Sequence, residues 1–179
     1  PDKDNLADRL MHKAIRGYVR VVERINRWVG RCAMYLIFAI LGVLFYSSLS
    51  KVAFEPAIWT LEFAQFLMVA YFLLGGAYSM QLDGHVRMDL LYSRWTLRTR
   101  AWVDLLTVGF LLFYLLLLLY GGISSTWYAF EYNETSYSAW SPRMAPIKVL
   151  MCSGVTLMLL QTIAMLLRDL AQIRGEPIE

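Results

Sequence analysis

The chain has 179 residues, 58% of them hydrophobic and only 17% charged, with a formal net charge of +3 and a mean hydropathy of +0.46. Soluble globular domains are about 45–50% apolar with about 25% charge, so this composition excludes a soluble domain and describes an integral membrane protein. A transmembrane helix needs roughly 20 predominantly apolar residues, and four stretches qualify, 32–50, 63–82, 105–130 and 149–167, each without a charge. The runs are continuous and Leu-rich, not alternating in segments of about ten, which excludes a transmembrane barrel. The expected fold is an all-α integral membrane protein, a single membrane domain over 1–179. An amphipathic interfacial helix over 6–29 precedes spans at about 30–51, 59–82, 103–128 and 146–167.

In the N-terminal arm, Arg9, Lys13, Arg16, Arg20, Arg24, Arg27 and Arg31 are spaced by four, three, four, four, three and four residues. At about 100° per residue they fall on one stripe, and Met11, Ile15, Tyr18, Val22, Ile25 and Val29 fall opposite. Such a helix is expected to lie in the membrane interface, its basic face toward anionic headgroups or a partner helix. Nucleic acid is not expected, because the stripe abuts a span and its other face is apolar. A cleaved signal peptide is not expected either, although Ser48-Leu49-Ser50 has the small-x-small form of a cleavage site. Some thirty polar and basic residues come first, and the apolar run exceeds the roughly 7–15 residues of a signal sequence.

The second span opens with Glu62, whose carboxylate is placed to accept hydrogen bonds from the free N–H groups of the helix start. Near its end lie Gly75, Gly76, Ala77 and Ser79, small residues that allow close helix packing, with Gly75 and Ser79 a small-xxx-small pair. The stretch "DGHVRMDLL", 83–91, then places His85, Arg87 and Asp89 at alternate positions, with Gly84 permitting a sharp turn. The expected role is architectural, with Arg87 and Asp89 pairing at the membrane boundary. The third span contains "LLFYLLLLLY", 111–120, which offers mainly surface to lipid. After it come Trp127, Tyr128, Phe130, Tyr132, Tyr137 and Trp140 beside Glu131 and Glu134. This set is read as an aromatic belt, or as part of a docking surface built from Glu131, Glu134 and Trp140.

Basic residues in short loops mark the cytoplasmic side. Lys3 and the seven cations of the arm precede the first span, Arg87, Arg94, Arg98 and Arg100 follow the second, and Arg168 and Arg174 follow the fourth. Both termini are therefore expected in the cytoplasm. Cys32 and Cys152 fall near opposite membrane faces, so no disulfide between them is expected. No catalytic or metal site is expected: the only other histidine, His12, lies in the arm, and no span contains one. The polar groups available for a transport path, Glu62, Gln65, Gln81 and Gln161, are few, and no span is broken by paired Gly/Pro positions.

Residues 61–106 resemble the small membrane subunit, the Q subunit, of tripartite ATP-independent periplasmic (TRAP) transporters. The family run is met by Glu62, Gly76-Ala77, Gly84-His85, Arg87, Asp89, Arg98, Arg100-Ala101 and Asp104-Leu105-Leu106, and more loosely by the four-span layout, the basic arm, Pro142 and Pro146. Gln81 and Asp83 stand where basic or glycine residues are common, and Lys148 lies just inside the fourth span. The resemblance implies a scaffold subunit of the bacterial inner membrane, not an enzyme, with no cofactor of its own. It implies a large membrane subunit that carries the substrate and sodium sites, and a periplasmic binding protein that delivers organic acids. Glu62, Gly75, Gly76, Ser79, Gly84, His85, Arg87, Asp89, Arg98, Arg100 and Asp104 are the positions expected to shape the subunit or meet its partner.

Overall fold

Pro146 marks a helix start, and in the sequence Pro56 follows the first apolar run. A proline ring cannot continue a helix but is tolerated in its first turn, where the missing N–H has no partner to lose. In the computed structural model, helix α1 (Asp2–Ala53) stops three residues before Pro56, α2 covers Thr60–Gln81, α3 covers Leu97–Glu131, and α4 (Ala145–Ile173) carries Pro146 at its second position. The structure describes the backbone of residues 2–53, 55, 57–82 and 97–173, and side chains at 13, 15–52, 55, 57–82, 103 and 106–168. Four helices, with windows in Ile15–Val52, Thr60–Gln81, Leu106–Glu131 and Ala145–Arg168, are long and apolar enough to cross a membrane.

The arm and the first span form one helix. No proline interrupts 2–53, and α1 continues through the boundary that hydropathy places at residue 30. Its neighbours change along its length. The second half runs antiparallel to α2, with Gly30 against Tyr78 near one end and Ser47 against Thr60 near the other. The first half crosses α4. Tyr18 donates to the carbonyl of Leu160 (3.2 Å) and Asn26 to the side chain of the adjacent Gln161 (2.7 Å). Residues about 12 Å apart along α1, at about 1.5 Å per residue, thus meet one level of α4.

α2 and α4 run side by side, with Leu73 against Gly154 and Gly76 against Met158. α3 packs chiefly on α4. The order in space is therefore α1, α2, α4, α3, a row in which α2 and α4 are central. The buried apolar residues are mostly small or β-branched, including Ala33, Ala64, Ala70, Ala77, Val155 and Ala164. The row is held by close backbone approach, as expected where acyl chains are as apolar as the helices and packing drives association.

Candidate functional site

The interior consists of glycine contacts and a few polar bonds between helices. At Gly30 and Gly76 a side chain would collide with Tyr78 and with the Met158 thioether. At Gly154 an added Cβ would lie 2.8 Å from Leu73 Cβ, and at Gly122 3.0 Å from Cys152 Sγ. At Gly30 and Gly154 the atoms met belong to the neighbouring backbone or are fixed to it, so these glycines let a helix approach where a larger residue would hold it off, whereas at Gly76 and Gly122 a side-chain tip fills the space. Gly75 differs: a Cβ there meets nothing within 4 Å. Of the small residues expected at the end of α2, Gly76 and Ala77 face inward, whereas Gly75 opens outward and Ser79 is exposed.

Two polar clusters sit well apart along α1, one at the far end of its spanning half and one in the arm. At one, Thr60 Oγ1 lies 3.0 Å from Ser47 Oγ and 2.9 Å from the Ala57 carbonyl, and Ser50 donates to the Ser47 carbonyl (3.1 Å). At the other, Asn26 and Gln161 are both almost fully buried and share one hydrogen bond, leaving Asn26 Oδ1 without a partner. Around them Val19 and Val22 pack on Ala164, with Ile15, Tyr18 and Leu160 at the edge, and Glu23 pairs with Arg168. The arm is thereby clasped to α4, and Lys13, Arg16, Arg20, Arg24, Arg27 and Arg31 are all exposed. Of the apolar face expected opposite them, Val22 is buried against α4, Ile15, Tyr18 and Val29 are half-buried, and Ile25 stays exposed. Protein, not only lipid, covers that face.

The α3–α4 loop is built on its own hydrogen bonds. Thr135 and Arg143 form an antiparallel bridge, Ser136 N–H donates to the Pro142 carbonyl (2.9 Å) and Met144 N–H to that of Glu134 (2.9 Å). Asn133 and Ser141 take positive φ of 48° and 45° at its two bends, a region asparagine tolerates better than most residues. Lys148, in the first turn of α4, pairs with Glu134 and reaches the Ser125 carbonyl at 3.4 Å. It fastens the loop to both flanking helices. Glu131 and Trp140 are exposed, whereas Glu134 is half-buried and committed to Lys148.

Among the remaining expected positions, Glu62 is half-buried with Oε2 buried and unpartnered. No side-chain hydrogen bond caps this end of α2, because Thr60, not Glu62, ties the first turn to α1. Gln65 is exposed, Gln81 is half-buried with Oε1 unpartnered, and Gln161 is bonded to Asn26, so the four candidate path residues do not line one path. Gly84, His85, Arg87 and Asp89 lie outside the described residues, as do the side chains of Arg9, Arg98, Arg100 and Asp104. Cys32 and Cys152 are free thiols, Cys152 lying 3.3 Å from Thr126 Oγ1. Sequence reading missed Asn26, a lone amide on the apolar face of the arm, and Gly30, Gly122 and Gly154, whose only signal is a glycine within a helix.

A row of four membrane-length helices, bonded to one another through a few buried polar groups, defines a multi-pass α-helical membrane protein. Residues 40–172 match the family model of the DctQ component of tripartite ATP-independent periplasmic transporters. The chain belongs to that family and is the small membrane component of a TRAP transporter, a component of a transport system and not of an enzyme family. Membership brings two partners, a large membrane subunit and a periplasmic binding protein. The match begins inside α1, so the arm, Asn26 and Gly30 precede it. A comparison with curated proteins finds no match.

Proposed function

We propose that this chain is a static scaffold for the large subunit of a sodium-coupled, binding-protein-dependent importer of organic acids in the bacterial inner membrane. Both termini lie in the cytoplasm, and sodium binds on the large subunit. The observation that carries the scaffold reading is the open row itself. In no span is more than 28% of the apolar window buried within the chain, so the helices do not close around a route of their own. Conducting or transporting folds line such a route with polar groups, whereas the polar groups here are dispersed or tied between helices. The arm adds a cytoplasmic basic face for anionic headgroups, held in place by α4.

Reconstitution tests the reading. Vesicles containing this chain with its large subunit, supplied with binding protein and a sodium gradient, should accumulate an organic acid, and vesicles containing this chain alone should not. Uptake by the chain alone would sink the scaffold role.

A further inference from the structure

Along α2, Leu61, Gln65, Met68, Phe72, Gly75 and Ser79 recur at spacings of four, three, four, three and four, the repeat of a coiled-coil seam. The row lies mostly on the open side of α2, its Phe72–Ser79 end bordering α1. Leu61, Gln65, Met68, Phe72 and Ser79 are exposed, and Gly75 has open space where a side chain would stand. From Leu61 to Ser79 it rises about 27 Å at about 1.5 Å per residue, close to the roughly 30 Å of a hydrocarbon core. At its Gly75–Ser79 end it opens into a groove of about 440 Å³, whose opposite wall is formed by Gly30, Ala33 and Met34 of α1.

We propose that this row is the docking seam for one transmembrane helix of the large membrane subunit, seated over Gly75 and Ser79 and hydrogen-bonded to Gln65. The proposal rests on the reading of the chain as a transporter scaffold and adds to it the face that meets the partner.

Three features select a helix over lipid. The first is Gln65, an exposed amide five residues inside a membrane-length helix. Acyl chains offer it no hydrogen bond, so the matching surface must carry a donor or acceptor. The second is the small pair: Gly75 and Ser79 are one turn apart on the outward face, where a partner backbone can approach closely. The third is contrast with α3, whose exposed face carries Phe113, Tyr114, Leu116, Leu117 and Tyr120, and a small pair in Gly121 and Ser125, but no amide. The length of the row, the full depth of a bilayer, fits a spanning helix and not a loop. The four-three spacing sets its packing as left-handed, at about +20°.

The test uses the complete transporter in its native membrane. A benzophenone amino acid placed at Met68 or at Phe72, and for comparison at Phe113 or at Tyr120 of α3, is activated by light. The expected result is a crosslink to the large subunit from the two α2 positions and not from the two α3 positions. Crosslinks from α2 only to lipid, or to a second copy of this chain, overturn the proposal. Independently, Gly75→Leu should lower the large subunit recovered with the tagged chain at least about tenfold, as a wedged helix contact does. Gly121→Leu on α3, where an added Cβ also meets nothing within 4 Å, should leave recovery unchanged. Unchanged recovery with Gly75→Leu overturns the seam while leaving the scaffold reading intact. Failure of the wild-type chain to recover any large membrane subunit overturns both.

Discussion

Replacing Gly154 by alanine should pry α2 from α4, and the structure sets the size of the effect. The new methyl would lie 2.8 Å from Leu73 Cβ and 3.1 and 3.2 Å from the Leu73 carbonyl carbon and oxygen. A flexible side-chain tip could swing aside, but these atoms belong to the α2 backbone or are fixed to it, so the helices must separate by a few tenths of an ångström. Such overpacking costs typically about 1–3 kcal/mol. Alanine also favours a helix interior over glycine by about 1 kcal/mol, which partly masks the clash. Gly121→Ala supplies the control, since its methyl meets nothing within 4 Å and it receives the propensity gain alone. Gly154→Ala should therefore be less stable than Gly121→Ala by about 1–3 kcal/mol, which at about 2–4 °C per kcal/mol for a chain of this size is about 2–12 °C in Tm. Fluorescence of the six tryptophans during heating in lipid–detergent micelles measures both. Equal melting of the two variants, or a higher Tm for Gly154→Ala, would refute the argument that this glycine sets the α2–α4 distance.

Gln161→Leu should destabilise by about 1–3 kcal/mol, because it leaves the Asn26 amide buried with no partner, whereas Asn26→Leu with Gln161→Leu should recover most of that loss; equal melting of the single and double variants would argue against the pair. Breaking the partly buried Lys148–Glu134 pair by Glu134→Gln should cost about 1–3 kcal/mol and raise protease cutting within 132–144, and exchanging the two charges should reverse the effect; an unchanged digest would deny the loop this fastening. Because Glu134 is committed to Lys148, Glu131→Lys is the cleaner probe of binding-protein docking: if Glu131 steers the encounter, uptake at limiting binding protein falls and its salt dependence changes, while overlapping curves confine the loop to anchoring. Arg20→Gln, Arg24→Gln and Arg27→Gln together should lower the anionic lipid retained on purification, counted by native mass spectrometry, as expected at about 1 kcal/mol per cation near a charged surface; unchanged retention would leave the stripe without a lipid role. Arg87→Ala or Asp89→Ala should reduce complex yield more than substrate affinity, and a tenfold affinity loss in an intact complex would assign the 83–91 stretch to ligand binding instead.

The helices themselves were legible because a bilayer enforces them. With no water to satisfy the backbone, roughly twenty uncharged apolar residues have one economical conformation, and the four predicted spans sit within or close to the observed helices. The resemblance over 61–106 found the family for a related reason, since its polar residues sit at fixed points around such spans. Lateral order was not legible. That α2 and α4 are central depends on Gly76 and Gly154 each accepting a neighbour, and a glycine within an apolar helix looks the same whether it faces a helix, as Gly154 does, or open space, as Gly75 does. In the arm, the cations from Lys13 to Arg31 are exposed, and part of the apolar face expected opposite them packs on α4. Periodicity separates two faces without saying what covers them, and here α4 covers part. Glu134 and Lys148, fourteen residues apart across a loop, share no period that would announce their pairing.

The clasp between the arm and α4 also imposes an order on biosynthesis. Asn26 emerges early and Gln161 late, 135 residues apart, which at about 5–20 residues per second is roughly 7–27 s of translation. Throughout that interval the first helix is already made, yet the surface it will press against does not exist. Tyr18 and Glu23 wait slightly longer for Leu160 and Arg168, which follow them by 142 and 145 residues. The clasp therefore closes only after α4 has been made. A product interrupted before α4 would display Val19, Val22 and Asn26 uncovered, a surface that a membrane quality-control protease could distinguish from the clasped form.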